Sequence, residues 1–154
     1  MMDPERVSYS DGETALTGLV HRPPGSPRAA VLVYPTIMNQ QGVVLDKARS
    51  LAEHGYLAFV ADFYGRNPAN FEQSREFAAE IRPRPEDFRR RIRQAIGAMV
   101  SLPETTDLPL AAIGFCMGGG AVLELAREGA PVEAMVSFHG LLGTDGSQHL
   151  RIDK

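Results

Sequence analysis

The sequence predicts an α/β fold in which a largely parallel sheet lies between layers of helices, as a three-layer sandwich. Four short apolar runs alternate with segments of helical periodicity, and such strand and helix alternation needs right-handed crossovers between parallel strands. Two further strand-like segments at the start of the chain predict an antiparallel hairpin. The 154 residues carry no internal repeat or linker, so we expect one domain over residues 1–154.

The hairpin is predicted around the turn dipeptide Asp11-Gly12. Residues 7–9 and 16–20 flank this turn with roughly alternating apolar side chains. The run at 29–34 is continuously apolar, which is typical of a strand buried on both faces of a sheet, and Pro35 ends it.

The first predicted helix covers residues 43–54 and is followed by Gly55, a residue common just beyond a helix. Its apolar positions recur at helical spacing, and they are Val44, Ala48, Leu51 and Ala52. Another buried strand is predicted directly afterwards at 56–61. Strand, helix and strand therefore follow one another as a parallel crossover requires.

The second half of the chain continues this alternation. A helix is predicted over 85–101, with acidic residues in its first turn, an apolar face, and its arginines on the opposite, solvated face. A strand at 110–115, a helix at 119–128 and a strand at 133–138 follow. Residues 143–154 have no clear period and are predicted to form a loose tail.

The composition excludes several classes of protein. A formal net charge of −3 argues against a nucleic-acid binder that relies on bulk charge. The single cysteine, Cys116, permits no intrachain disulfide and no four-cysteine metal site. The acidic start is unlike a secretory signal, and polar residues interrupt the uncharged stretch 29–45 well short of a membrane span. We expect a cytoplasmic protein with neither metal nor membrane contact.

A glycine-flanked cysteine between a predicted strand and a predicted helix is the strongest chemical signal. Gly114 and Gly118 stand two residues before and two after Cys116, which is the pattern of a nucleophile elbow. The elbow strains its central residue and leaves no room for side chains at the flanking positions. The thiol would lie at the start of a helix, where a thiolate is favoured. The alternative for a lone cysteine is a small buried hydrophobe.

Two glycine-rich phosphate motifs do not fit the same segment. A dinucleotide fingerprint would need glycine where Cys116 stands, and a phosphate loop would end in Gly-Lys-Ser or Gly-Lys-Thr. No nucleotide cofactor is therefore expected.

With this elbow the sequence resembles the dienelactone hydrolase family, whose members have the α/β-hydrolase fold. The resemblance rests on four segments: Gly-Phe-Cys-Met-Gly-Gly at 114–119, Val-Leu-Val-Tyr-Pro-Thr-Ile at 31–37, Ala-Asp-Phe-Tyr-Gly-Arg at 61–66 and Val-Ser-Phe-His-Gly at 136–140. It implies a hydrolase that opens lactones or carboxylic esters of small molecules through an acyl-enzyme on Cys116. It also implies oxyanion donors at the Met117 and Ile37 amides.

The sequence departs from the family pattern in three places. Thr36 stands where the family has a glutamate that interacts with the resting thiol, and Asn39 stands where glycine is common. Only 38 residues follow Cys116, which leaves no room for the later strands whose loops carry the acid and the histidine of the family's triad. The chain therefore resembles the N-terminal two thirds of the fold, truncated before its last strands.

His139 is the candidate surrogate base, because it follows the strand after the elbow and so lies on the catalytic edge of the sheet. A structural role is the alternative for His139. Asp145, His149 and Asp153 fall in the predicted tail. His21 and His54 are predicted to be surface residues.

Thr36 and Arg66 are the candidate substrate-contacting residues. Arg66 follows the strand at 56–61, in a loop that opens on the catalytic edge, and Asp62 in the same segment is expected to shape the turn. The dense arginine cluster at 82–93 could bind a substrate carboxylate, but a solvated helix face balanced by nearby acidic residues is the favoured interpretation.

Two functions remain open at this stage. The first is a dienelactone hydrolase-like esterase that turns over slowly in the absence of the triad's later residues. The second is a non-catalytic fragment or interaction module. In either case the apolar strand edge at 134–138 is expected to be exposed, and to form a homodimer or aggregate by pairing with another chain.

Overall fold

Six strands form one mixed sheet in the computed structural model, which describes residues 3–141. Their order across the sheet is β1-β2-β4-β3-β5-β6. The strands are β1 (Glu5–Ser10), β2 (Ala15–His21), β3 (Ala30–Tyr34), β4 (Leu57–Val60), β5 (Leu110–Phe115) and β6 (Ala134–Phe138). Strands β1 and β2 are the predicted antiparallel hairpin, and β3 to β6 are parallel to one another. The predicted α/β architecture is confirmed; the tail at 143–154 lies outside the described residues.

Helices cover both faces of the sheet. They are α1 (Val43–Glu53), α2 (Phe71–Ile81), α3 (Pro85–Val100) and α4 (Met117–Arg127), with a short 3-10 turn at Pro103–Thr105. On one face α1 packs on alternate residues of the central strands, including Val31 and Val33. The residues between them, such as Leu32, belong to a larger core under α2, α3 and α4. Strand β3 is buried throughout because it contacts both layers. None of the helices described is long and apolar enough to cross a bilayer.

Helix α2 was absent from the sequence-based prediction. Asn70 caps its start, with the side-chain oxygen accepting a hydrogen bond from the Gln73 amide at 2.8 Å. Its buried positions are spaced i, i+3, i+4 and i+7, and they are Ser74, Phe77, Ala78 and Ile81. The spacing was present in the sequence, but two of these four residues are small or polar, which weakens the pattern. Helix α4 also begins earlier than predicted, immediately after Cys116.

The prediction that the arginines of α3 share a solvated face was wrong for Arg89 and Arg91, which are both buried. The Arg91 guanidinium donates to Asp11 Oδ2 at 2.8 Å, to the Phe63 carbonyl at 2.6 Å and to Thr14 Oγ1 at 3.0 Å. Burial of a guanidinium is tolerated because each of these acceptors replaces water. The contacts tie the β1–β2 turn to α3.

Replacing Arg91 with methionine should lower the free energy of unfolding by about 3–5 kcal/mol, because the Asp11 carboxylate would remain buried without its partner. Burial opposes ionisation of Asp11, yet the hydrogen bonds from Arg91 and from the Thr14 and Glu13 amides lower its pKa to about 2. The stability that ionised Asp11 contributes is therefore complete at pH values above its ordinary pKa of 3.8. This stability is lost as the pH falls toward 2.

Urea unfolding at pH 7 measures the effect of Arg91→Met, and Arg93→Met is its matched control. Arg93 lies on the same helix and pairs with Glu128 at 2.7 Å, but its side chain is exposed. Loss of that pair should cost less than about 1 kcal/mol. Equal effects of the two substitutions would contradict the importance of the buried contacts.

His21 is buried, with 4% of its surface exposed, so its predicted surface position was wrong. The Nε2 atom has no hydrogen-bond partner among residues 3–141. The histidine is enclosed because it lies at the end of β2 and pairs with Ala58 of β4. Burial, with a smaller effect from the charge of Arg49, lowers the pKa of His21 below its ordinary value of 6.5.

Stability should therefore fall as the pH drops below about 6.5, because the unfolded chain binds a proton that the folded His21 resists. The substitution His21→Leu should flatten this dependence between pH 7 and pH 5. Thermal melting across this range measures it, and His54→Leu, at an exposed position, should leave the slope as in the wild type. A wild-type slope retained in His21→Leu would refute the assignment.

Strand β6 is the last strand of the described sheet and hydrogen-bonds to β5 on one side. Two of its apolar side chains, Val136 and Phe138, are each 44% exposed. The exposed apolar strand predicted at 134–138 is therefore present within the described part of the chain.

Candidate active site

Cys116 occupies a strained turn between β5 and α4. Its backbone has φ 56° and ψ −112°, a positive φ that side-chain-bearing residues rarely adopt. The residue is exposed at the carboxyl edge of the parallel strands. Non-glycine residues are held in such conformations mainly at functional sites, where the surrounding structure compensates the strain.

The two flanking glycines are required by close backbone contacts. A Cβ atom on Gly114 would lie 1.9 Å from the Gly118 carbonyl oxygen, and one on Gly118 would lie 2.2 Å from the Tyr34 carbonyl oxygen. Helix α4 thus starts directly against the ends of β5 and β3. The Cys116 amide donates to the Phe138 carbonyl at 2.7 Å, which fixes the elbow to β6 as well.

The loop after β3 forms a tight turn over residues 36–39. The Asn39 amide donates to the Thr36 carbonyl at 2.9 Å, and the Met38 amide donates to Thr36 Oγ1 at 3.1 Å. Thr36 therefore shapes this turn. Asn39 has a φ of 60°, so it adopts the left-handed conformation that suits glycine and that asparagine tolerates better than most residues.

The side chain of Asn39 ties this loop to the segment after β4. Its Nδ2 donates to Asp62 Oδ1 at 2.8 Å and to the Arg66 carbonyl at 3.1 Å, and its Oδ1 accepts from the Phe63 amide at 2.9 Å. Asp62 also accepts from the Tyr64 amide at 3.1 Å. Asp62 therefore has the turn-shaping role predicted for it.

Tyr64 joins the loop after β3 to the start of α4. Its hydroxyl donates to the Ile37 carbonyl at 3.0 Å and lies 3.4 Å from the Met117 sulfur. Burial raises the pKa of this phenol well above its ordinary value, so the hydroxyl remains a donor at all physiological pH values. One buried side chain thus contacts both residues whose amides are expected to stabilise an oxyanion.

Removing this hydroxyl should slow the acylation of Cys116 that the family resemblance implies by about fivefold, the effect of one hydrogen bond worth about 1 kcal/mol. In Tyr64→Phe the rate constant at saturating ester should fall by more than the half-saturating ester concentration changes, because the Ile37 amide acts on the oxyanion whereas Ile37 is one of many residues that line the cavity. Stopped-flow release of p-nitrophenolate measures both. Tyr56→Phe is the control, and an equal loss there would contradict the role of Tyr64.

A cavity of about 300 Å³ opens beside the elbow. Its lining is mostly apolar, with three charged side chains, and comprises Ile37, Phe71, Ile81, Arg82, Pro85, Phe88, Arg89, Cys116, Met117, Gly120, Glu124 and Leu141. The structure thus brings together three of the predicted site residues, Cys116, Met117 and Ile37. The Met117 amide has no acceptor within its helix, because it belongs to the first turn of α4.

The other predicted site residues lie outside this lining. Arg66 pairs with Glu80 at 3.2 Å, and its guanidinium lies 3.8 Å from the centre of the Phe77 ring. His139 is exposed and follows β6 as Cys116 follows β5, because Phe115 and Phe138 are paired in the sheet. Of the described histidines it is the one at this edge.

Most residues of the cavity wall could not be assigned to a site from the sequence. Phe71, Ile81 and Arg82 belong to the unpredicted α2 or its end, and Arg89 was assigned to solvent. Glu124 could have been found from its spacing, because positions 116, 120 and 124 share one face of a helix. No cluster of three metal-ligating side chains occurs in the described part of the chain.

The strand order, the hairpin and the elbow define an α/β-hydrolase fold. The profile of the dienelactone hydrolase family matches residues 16–154, and the chain belongs to that family. The solved structure named m3DLH is 36% identical, with a TM-score of 0.81 over 90% of this chain. A dienelactone hydrolase-like promiscuous phosphotriesterase from metagenomic libraries is 34% identical, with a TM-score of 0.81 over 92% of this chain.

A protein of Saccharolobus solfataricus, described as a candidate carboxymethylenebutenolidase, is 23% identical over 88% of this chain. The chain spans 66% of that relative and 60% and 62% of the two solved structures. It therefore corresponds to somewhat less than two thirds of the length of these relatives.

Proposed function

We propose that the chain hydrolyses a carboxylic ester or lactone through an acyl-enzyme on Cys116. The observation that supports this proposal is the strained backbone of Cys116, whose thiol lies at the cavity and at the start of α4. Membership in the family supports hydrolysis in general. The proposal adds that the bond cleaved is that of a carboxylic ester or a lactone.

In the first step the Cys116 thiolate attacks the ester carbonyl carbon, and the carbonyl electron pair moves to oxygen. The Met117 and Ile37 amides donate to this oxyanion, and one such donor is worth about 10²- to 10³-fold in rate. The carbonyl then re-forms as the bond to the leaving oxygen breaks with its electron pair. The products are a thioester on Cys116 and an alkoxide or phenolate, and the alkoxide takes a proton from solvent water to become the alcohol.

In the second step water attacks the thioester and the thiolate leaves, so one water is consumed and one carboxylic acid is released. His139 is the proposed base for this water, because it lies beside Cys116 at the strand ends. Hydrolysis by this chain is proposed to be slow, because no described carboxylate holds His139 in one orientation. A base that is not oriented loses most of its effect.

The test is reaction with p-nitrophenyl acetate, followed by absorbance and by intact mass. We expect a burst of one p-nitrophenolate per chain and one added acetyl group, located on the peptide that contains Cys116. A slow steady phase should follow and should fall further in His139→Ala. Acetylation at other residues, or no acetylation, would overturn the proposal.

An interaction module is the second candidate, and the position of β6 as the last strand of the described sheet favours it. In this alternative the edge of β6 pairs with a second copy of the chain or another strand. Light scattering at high concentration tests this alternative. A wild-type chain that is monomeric, with the same mass in Val136→Lys, would contradict it.

A catalytic thiol must stay reduced, so a cytoplasmic location is part of the main proposal.

A further inference from the structure

We infer that the cavity beside Cys116 selects neutral esters with an unbranched apolar acyl chain of medium length. This inference rests on the proposed function and adds the substrate class. The acyl group is the part assigned to the cavity, because it remains bonded to the Cys116 sulfur, which is itself part of the lining.

The walls of the cavity are mostly apolar. Helix α2 contributes Phe71 and Ile81, and the start of α3 contributes Pro85 and Phe88. Phe71 is 62% exposed and Leu141 is 70% exposed, so large apolar surfaces face the solvent at this site. A bound alkyl chain would remove part of these surfaces from water, which favours binding by about 25 cal/mol per Å².

The floor of the cavity is one face of α4, and it sets a length. Cys116, Gly120 and Glu124 all line the cavity and are spaced four residues apart, so the floor runs about 12 Å along the helix at 1.5 Å per residue. Gly120 lies midway and has no side chain. The floor is therefore open in the middle and ends at a carboxylate.

The far end of the cavity is formed by charged side chains that are paired with one another. Arg89 Nε donates to Glu124 Oε2 at 3.1 Å and its guanidinium also pairs with Glu86, while Arg127 donates to Glu124 Oε1 at 2.6 Å. The Glu124 carboxylate is thus held by two guanidinium groups at this end of the cavity. An alkyl chain that reached this network would have to desolvate it, so the network sets an upper limit on chain length.

Arg82 is the one lining charge without an ion pair among the described residues. It favours the competing possibility of an anionic substrate. Arg82 is exposed, however, and its charge is screened by water. We therefore expect the apolar walls to contribute more to substrate binding than the charge of Arg82. A pair of neutral and anionic esters tests this directly.

Substitution of Gly120 is the most direct test of whether the acyl chain binds in the cavity. A Cβ atom at this position would meet no atom closer than 4.0 Å, the distance to the Leu141 carbonyl oxygen. A larger side chain would therefore extend into the cavity without disturbing the backbone. Gly97 of α3 is the matched control, since a Cβ there is equally unhindered and the residue is outside the lining.

The experiment compares burst acylation rates for p-nitrophenyl acetate, butyrate, hexanoate and decanoate. We expect about a fourfold rise for each added methylene, from about 0.8 kcal/mol per buried methylene, followed by a fall at decanoate. In Gly120→Val the ratio of hexanoate to acetate should drop at least tenfold, and in Gly97→Val it should be unchanged. Phe71→Ala should also lower this ratio.

A second comparison distinguishes the anionic alternative. Mono-p-nitrophenyl adipate has the same six-carbon acyl chain as the hexanoate, with a carboxylate in place of the terminal methyl group. We expect it to react more slowly than the hexanoate. Faster reaction with the adipate, lost in Arg82→Gln, would overturn the inference. An acylation rate that does not change with chain length would overturn this inference but leave the proposed acyl-enzyme intact. The absence of acylation by every ester would overturn both the inference and the proposed function.

Discussion

Replacing Cys116 with alanine is expected to abolish the p-nitrophenolate burst and the acyl adduct completely. In the proposed reaction the sulfur forms the new bond, and no other residue of the elbow carries a nucleophile. Loss of the nucleophile alone lowers turnover by about 10⁶-fold in a well-characterised triad hydrolase. Here the residual rate should equal that of the uncatalysed ester, measured in parallel with buffer alone. A burst that survives in the alanine variant would place the nucleophile elsewhere.

A companion variant links the same residue to stability. Alanine retains the strain of a positive φ, so Cys116→Ala should melt close to the wild type, whereas Cys116→Gly should be more stable by about 1 kcal/mol. Strain at such a position costs about 1–3 kcal/mol. Relief of this strain is partly offset, by about 0.5–1 kcal/mol, because glycine loses more conformational entropy on folding. A glycine variant no more stable than the alanine variant would contradict the proposed strain.

The substitution Gly114→Ala is expected to prevent folding or to destabilise the chain by more than about 4 kcal/mol. Its Cβ would overlap the Gly118 carbonyl oxygen at 1.9 Å. Gly118 cannot move away, because it already abuts the Tyr34 carbonyl of β3. Relief would therefore separate α4 from two central strands and open the larger core.

Urea unfolding and the soluble yield measure this effect, with Gly97→Ala as the control. Gly97 lies within α3 at an exposed position, where alanine should stabilise the helix by up to about 1 kcal/mol. The two substitutions make the same chemical change, so opposite outcomes isolate the close contact at the elbow. Similar stability of both variants would refute the packing described for Gly114.

Elements defined by local sequence were predicted with nearly the observed bounds. The hairpin, the four parallel strands and α1 each carry a strong pattern within a few residues, and the elbow is marked by two glycines next to the cysteine. Helix α2 was missed because its buried face includes Ser74 and Ala78, which carry little apolar signal. Local pattern was therefore sufficient where burial is expressed by large apolar side chains.

Properties that depend on distant partners could not be predicted in this way. The burial of Arg91 depends on Asp11, which lies 80 residues away in the chain. The role of Asn39 depends on Asp62, and the cavity wall depends on how α2 packs near the elbow. Periodicity records that a residue is charged, but the energy of burying it is decided by the acceptors that the fold supplies. The wall of the site was thus visible only in three dimensions.

The network around Asn39 has a consequence for the chemical ageing of the protein. Hydrolysis of the Asn39 side-chain amide would convert a donor into a carboxylate facing Asp62, at an atom pair now 2.8 Å apart. The hydrogen bond from the Asn39 amide would be lost, and the two carboxylates would repel one another. The loop that carries Ile37 would then lose its contact with Asp62, while the Tyr64 hydroxyl would still donate to the Ile37 carbonyl. Deamidation of this single side chain should therefore loosen one side of the site before the fold is lost.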